Sequence, residues 1–399
     1  MQMGLGRSAV GLVVLCALGA AAKSLEEVLK DQKNLTTFRG LVDEYADFYK
    51  DLPDSGVTVI APNDGAFIKG QGWDADQQAI PVWLRYGVLR GEVKLSSMSP
   101  GDTQTVPTLL NDSRYANVSD GQKVFITMQP EGEVVISSGL GTHITVVGTD
   151  IPFDNGLVQV VESLFVVPRR LEPSIRDSYT DLTAFLGALY RAGLVDEFAQ
   201  TPNATIFAPH NSAFQRLAGA FDSMDDDEFR RVLRYHIVPN GVLRSSDLEN
   251  ASNLTTAAKT PLHVTRYIND IYVNTARIIQ TDLLIANGIV QMIDNVLNVE
   301  QNDVRPDVSQ SAQAPVFTAT ASVATGEGAP VPFTSALPCT ASCSTSQAPR
   351  PTGEGLDDEG GSGDDENGAA TRGPGAAGAM AIAMGAAAGV LGMGFVGIA

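Results

Sequence analysis

Val57-Thr58-Val59-Ile60-Ala61-Pro62-Asn63-Asp64-Gly65-Ala66-Phe67 returns, in residue type and spacing, as Ala204-Thr205-Ile206-Phe207-Ala208-Pro209-His210-Asn211-Ser212-Ala213-Phe214. Each copy opens as an unbroken β-branched and aromatic run, the pattern of a strand buried on both faces. Pro62 and Pro209 end the runs, because proline has no N–H to give a ladder. The Asn, Asp and Ser residues that follow form turns and helix caps, which return Phe67 and Phe214 to the core. Outward from this pair, Leu84-Arg85-Tyr86-Gly87-Val88-Leu89 answers to Leu233-Arg234-Tyr235-His236-Ile237-Val238. Further on, Asn155-Gly156-Leu157-Val158-Gln159-Val160-Val161 answers to Asn287-Gly288-Ile289-Val290-Gln291-Met292-Ile293. Matched blocks in the same order make two copies of one domain.

Ahead of each first strand the apolar period becomes helical. Leu25, Val28 and Leu29, then Phe38, Leu41, Val42, Tyr45 and Phe48, recur at three- and four-residue steps, as do Leu182, Phe185, Leu186 and Leu189. A further helix is predicted between the first strand and the Leu-Arg-Tyr block, with Ser223 as its N-cap and Asp225 to Glu228 complementing its dipole. Asn155-Gly156 and Asn287-Gly288 predict tight turns into a closing strand. Helices first and then mostly strands make each unit an α+β domain.

The chain begins with a short start carrying Arg7, an apolar run from Ala9 to Ala21 and then Ala20-Ala21-Ala22 at a cleavage-like position. Such a run is short for a membrane span, so residues 1–22 are expected to be a signal peptide, the alternative being a retained anchor. The last stretch, Ala376 to Ala399, is apolar and Gly-rich with no basic stop after it. Upstream, Asn367-Gly368-Ala369 and a polar spacer give the layout of a glycosylphosphatidylinositol (GPI) signal. The expected attachment residue is Asn367, with Gly368 or Ser362 as alternatives, and 368–399 is the expected propeptide; the competing reading is a weak tail-anchor helix.

The formal charge of -19 becomes -21 without both ends, since these carry Arg7 and Arg372 and no acid, leaving 46 acids against 25 bases. Nucleic acid is therefore not expected as a partner. Cys16 lies in the leader, so neither domain has a cysteine staple and each must hold together by apolar burial. Cys339 and Cys343 lie in a Pro/Ser/Thr segment and have the spacing for a small disulfide loop, while two thiols with no nearby His do not make a zinc site. From residue 301 to 367 the composition shifts to Pro, Ser, Thr, Ala and Gly, then to acidic patches at Asp357-Asp358-Glu359 and Asp364-Asp365-Glu366. This predicts a disordered, O-glycosylated stalk.

The paired blocks resemble the fasciclin domain, a module of extracellular adhesion and matrix proteins, over residues 24–167 and 170–300. The resemblance implies a small β-wedge packed against several helices and no catalytic chemistry, and the whole layout resembles fungal and plant surface proteins. Two family features tied to adhesion are a Tyr-His pair and an Asp-Ile pair. Tyr235-His236 matches the first, whereas the other copy has Tyr86-Gly87; Asp150-Ile151 matches the second, against the looser Asp282-Leu283. Neither copy carries both in full. The plain reading of the same residues is a core aromatic–imidazole pair with its ring nitrogens on backbone, and aspartates acting as turns or caps.

Sequons stand at Asn34, Asn111, Asn117, Asn203, Asn250 and Asn253. Asn203, beside a buried strand, and one of the pair Asn250 and Asn253 are the sites expected to be skipped. His143, His210, His236 and His263 sit in separate blocks, with no G-x-S-x-G, no H-E-x-x-H and no buried carboxylate pair, so neither catalysis nor a cofactor is expected. The functional expectation is a surface adhesion or wall-associated glycoprotein. It would meet cell-surface or matrix proteins or polysaccharide by weak, linked contacts and be held to the membrane by a GPI lipid. The alternatives are a structural coat or spacer without a specific ligand, and a carrier of an apolar ligand.

Overall fold

The computed structural model describes residues 22–54, 56–221, 223–250, 254–310, 312–317 and 329–338. The first repeat opens with α1 (Leu25–Asp31), α2 (Thr36–Glu44) and α3 (Ala46–Lys50). Ser24 and Glu27 close a reciprocal capping box on α1, satisfying two N–H groups that a helix start leaves without partners. The residues at helical spacing, Leu25, Val28, Leu29, Phe38, Leu41 and Val42, are the ones buried. Strand β1 (Val57–Pro62), α4 (Asp64–Lys69), α5 (Ile80–Tyr86) and β2 (Val88–Arg90) follow. Then come β3 (Thr103–Pro107), β4 (Lys123–Met128), β5 (Val134–Ser137), β6 (His143–Phe153) and β7 (Gly156–Val161).

The sheet order is β2-β1-β7-β6-β5-β4-β3, and β1 lies parallel to β7 in its centre. Strand β6 carries two register shifts against β7, and such bulges bend a strand, which folds β3 to β5 over as the wedge. This explains why β1 is apolar on both sides. Val57, Val59 and Ala61 join the core beneath the helices, while Ile60 joins a second core with Val124, Ile126 and Ile144 of the wedge.

The second repeat repeats the plan. It runs through α6 (Leu171–Asp177), α7 (Thr183–Ala192), α8 (Val195–Gln200), β8 (Ala204–Pro209), α9 (Asn211–Gln215), α10 (Ala218–Phe221) and α11 (Asp226–Arg234). Strands β9 (Ile237–Val238), β10 (Leu254–Thr255), β11 (Pro261–Leu262), β12 (Val264–Tyr267), β13 (Asp270–Val273), β14 (Ala276–Ile285) and β15 (Gly288–Ile293) complete it. The sheet order is β12-β13-β14-β15-β8-β9, with β10 and β11 paired separately. Register is conserved between the copies: Val57 faces Gly156 in the first and Ala204 faces Gly288 in the second.

Three local expectations change. Asp225, not Ser223, caps α11, its carboxylate accepting from the N–H groups of Asp227 and Glu228, while the Ser223 hydroxyl donates back to Ala220 O. The hairpin turns are Asp154-Asn155 and Ala286-Asn287, and each glycine is already the first residue of its strand. Glycine is required there because φ is +150° and a Cβ would stand 1.9 Å from Val57 O in one copy and from Ala204 O in the other.

The third change concerns the segment after Val299, whose composition predicts a stalk from residue 301. Residues 313–317 and 329–333 pack on the second repeat. Asn298 Nδ2 donates to Val316 O and Gln215 Nε2 to Ala329 O. The Phe333 ring sits against Phe214, Phe221 and Phe229, with the Arg191 guanidinium 5.4 Å from its centroid. A few aromatic residues placed in a Pro-rich stretch are enough to hold it, because each buries a large area at low side-chain entropy cost. The leader up to Ala21, Cys339, Cys343 and the attachment residues Ser362, Asn367 and Gly368 lie outside the described residues.

Candidate functional site between the two repeats

Tyr86 and Tyr235 end α5 and α11 with fully buried rings. Tyr86 Oη donates to Lys123 O at 3.1 Å; Tyr235 Oη donates to Pro261 O and accepts from Asn274 Nδ2, both at 2.8 Å. His236 is also fully buried. Its Nδ1 donates to Val232 O at 2.8 Å and its Nε2 accepts the Leu297 N–H at 3.0 Å, which fixes the neutral tautomer. Burial pushes its pKa down to about 4, against the opposing pull of the Val232 carbonyl. In the first repeat Phe165, the counterpart of Leu297, takes the imidazole's place. A Cβ on Gly87 would lie 2.6 Å from the Phe165 ring, which stacks on Trp83 at 4.2 Å while the Trp83 indole N–H bonds Phe165 O.

Asp150 and Asp282 occupy the bulges of β6 and β14 with φ of 56° and 63°. The Asp150 carboxylate accepts from the N–H groups of Leu95 and Ser96; that of Asp282 accepts from the N–H and hydroxyl of Ser245. Burial opposes ionisation of Asp150, but the bonds from Ser96, Gln159 and Leu95 outweigh it and hold the carboxyl below its usual value. Ile151 pairs with Val158, and Leu283 with Val290. Asp282 and Leu283 face a cleft that Asp150 and Ile151 do not line.

Sequence reading missed the partners of these aspartates. Gln159 and Gln291 are fully buried on the closing strands, and each bridges its aspartate to a loop carbonyl, Val93 O or Leu243 O. Thr58 and Thr205 pin the same loops: each hydroxyl donates to Gly91 O or Gly241 O and accepts the N–H of Val93 or Leu243. The signal was present as one polar residue at the same place in each apolar run.

The repeats meet along β4 and the β14–β15 hairpin. Phe125 packs against Leu284 and Ile289, Gly139 forms a backbone bridge to Leu284, and the buried Gln122 Nε2 reaches Ile285 O and Ala286 O. The connecting segment is part of the contact, since Arg169 O accepts the Ala286 N–H. Beside this seam lies a cleft of about 540 Å³. Phe125, Ile278 and Leu283 contribute apolar surface, and the walls carry Thr127, Gln129, Ser137, His143, Arg244 and Gln280. Ser137 Oγ and His143 Nδ1 lie 2.9 Å apart. Arg244 is paired with Asp247 and reaches across to Thr103 O, so the one guanidinium among these walls is already neutralised. The Asp282 carboxylate also lines the cleft but is taken up by Ser245 and Gln291, and apolar patches flanked by mostly uncharged donors and acceptors suit a neutral, hydroxyl-rich ligand.

Four sequons fall among residues with described side chains. Asn34 and Asn111 are exposed, whereas Asn117 and Asn203 are partly buried at the seam. The side chain of Asn250, and Asn253 entirely, lie outside the described residues. Among the described residues no group of three or more His, Cys, Asp or Glu stands placed to hold a metal ion, and no helix is long and apolar enough to cross a membrane.

Fold and site together define a tandem α+β repeat protein built on one module used twice. The family model of the fasciclin domain matches residues 33–168 and 180–299, more than half of the chain, and the chain belongs to the fasciclin domain family. It is similar to a fasciclin-like arabinogalactan protein of Arthroderma benhamiae, 31% identical over 340 residues covering 82% of this chain and 79% of that one. It is 27% identical over 307 residues to the fasciclin-like arabinogalactan protein elcF of Phaeosphaeria nodorum, covering 74% of this chain and 96% of the other. Among solved structures, the FAS1 domain pair of the insect cell adhesion molecule fasciclin I matches with a TM-score of 0.34 at 17% identity, over 68% of this chain and 99% of that one.

Proposed function

We propose that the chain is a secreted, surface-held glycoprotein that makes weak contacts with neighbouring wall or matrix polymers through two linked fasciclin units. The observation that carries this reading is the cleft between the repeats, whose hydroxyl and amide groups and apolar patches, with the Arg244 and Asp282 charges already held by Asp247, Ser245 and Gln291, match the edges and faces of a polysaccharide. An extended protein segment of neutral side chains is the other polymer it fits. Each contact is shallow, and affinity grows when several anchored copies engage one polymer, because linked weak sites gain effective concentration. The surface placement is supported by the arabinogalactan-protein names of the fungal relatives and by the leader and lipid signals read at residues 1–22 and around Asn367.

A glycan array and a bead-aggregation assay on the secreted chain test the contact. Saturable binding, lost in Gln280→Trp where the new ring fills the cleft, supports it. No binding, with deletion of the protein still weakening the cell surface, points instead to a structural coat. Phosphatidylinositol-specific phospholipase is expected to release the protein from cells, and recovery of the Ala376 to Ala399 peptide in the mature form refutes the lipid anchor.

A further inference from the structure

We propose that N-glycosylation at Asn117 or Asn203 and docking of the two repeats exclude one another, so that the state of these sequons sets whether the chain is one rigid pair or two separate modules. The two sequons are each other's partners. Asn203 Oδ1 accepts the Ser119 N–H at 2.8 Å and its Nδ2 donates to Ser119 Oγ at 3.0 Å. Ser119 is the hydroxyl residue of the sequon Asn117-Val118-Ser119. In return, Asn117 Nδ2 donates to Gln200 O at 2.8 Å, its N–H to Ala286 O at 2.7 Å, and its carbonyl accepts the Asn203 N–H at 3.3 Å. Every one of these bonds runs from one repeat to the other.

A glycan is joined to the Asn side-chain nitrogen itself. At Asn117 or Asn203 the first sugar would replace a hydrogen of an amide nitrogen that is already in hydrogen-bond contact with the opposite repeat, so its ring would have to share the edge of the seam. The order of events follows from the second sequon, Asn203-Ala204-Thr205. Asn203 is held at φ +49°, and the fully buried Thr205 hydroxyl is committed to Gly241 O and Leu243 N. Once the second repeat folds, that hydroxyl is out of reach of any transferase, so modification must precede folding. A sugar added then persists and keeps the repeats apart, and the cleft beside the seam is not formed. Asn34 and Asn111, exposed and away from the seam, carry glycan without this consequence. The inference rests on the seam atoms and is independent of what the cleft binds.

The test uses the full chain from a secreting host, with glycoforms separated and assigned by glycopeptide mass spectrometry. Forms bare at both Asn117 and Asn203 are expected to be compact by small-angle scattering and to protect the Ser119 amide from exchange. Forms modified at either site are expected to be extended, with Ser119 exchange faster by about tenfold or more. A modified form that is compact and protected overturns the proposal, as does a bare form that is extended. Ser119→Trp supplies bulk at the same gap from an exposed turn, without glycan and without the first sequon. It is expected to open the pair, and a compact Ser119→Trp chain also overturns the proposal.

Discussion

Gln291 grips Asp282 at both ends: its Oε1 accepts the Asp282 N–H at 3.0 Å and its Nε2 donates to the Asp282 carboxylate at 2.9 Å, as Gln159 does for Asp150 at 2.8 Å in each case. The pair holds an aspartate in the left-handed region, where a non-glycine residue is strained, and ties the bulge to the loop after the edge strand. Gln291→Leu keeps the volume but leaves the Asp282 N–H and Leu243 O without partners. The expected loss is about 2–4 kcal/mol, read by chemical denaturation. Gln159→Leu should cost a similar amount in the first repeat.

His236 makes the second repeat acid-sensitive in a window the first lacks. Burial holds the imidazole neutral down to about 4, whereas its ordinary value is 6.5. The unfolded chain therefore takes up a proton that the folded one refuses. Stability is full above 6.5, falls as pH drops through that window, and levels off below about 4, a total of about 3 kcal/mol. Asp294, whose carboxyl burial raises above its usual value, contributes with the opposite sign nearer the carboxylate range. Both tryptophans, Trp73 and Trp83, lie in the first repeat. Acid titration should thus change circular dichroism before tryptophan fluorescence, and His236→Gln should remove that separation.

Gly156→Ala and Gly288→Ala should each prevent folding of their own repeat. The added carbon meets a strand carbonyl at 1.9 Å, and backbone on both sides of a parallel pair cannot yield as a side-chain tip can. The expected cost is at least about 3 kcal/mol, seen as loss of secretion. Normal secretion of Gly288→Ala would show that the β8–β15 pair can shift.

Gly187→Ala should release the segment around Phe333 from the second repeat while leaving α7 intact. A Cβ at residue 187 would stand 2.3 Å from Phe333 O, yet alanine favours the interior of α7 by about 1 kcal/mol over glycine. Limited proteolysis should then cut within residues 329–338 faster than in the parent chain. Unchanged resistance would mean that the Phe333 contact does not hold the segment.

Much of this fold is legible in the chain itself. The duplicated strand, the helical spacing ahead of it and the ending of the strands at Pro62 and Pro209 are local consequences of side-chain shape, so they read directly from residue order. The repeat also exposes Gln159 and Gln291 as polar positions in apolar strands, although their partners lie loops away. The cap at Asp225 escaped because Ser223 and Asp225 are both good caps, and position relative to the core decides between them.

Sequence by itself thus determined two copies of one α+β module and the positions of the sequons, because periodicity, turn chemistry and duplication are properties of neighbouring residues. Tertiary structure alone decided that Asn117 and Asn203 face each other, that Leu283 and Phe125 border one cleft, and that Phe333 returns to the second repeat. Those outcomes depend on how two finished surfaces fit. No local preference encodes a hydrogen bond between residues 84 apart.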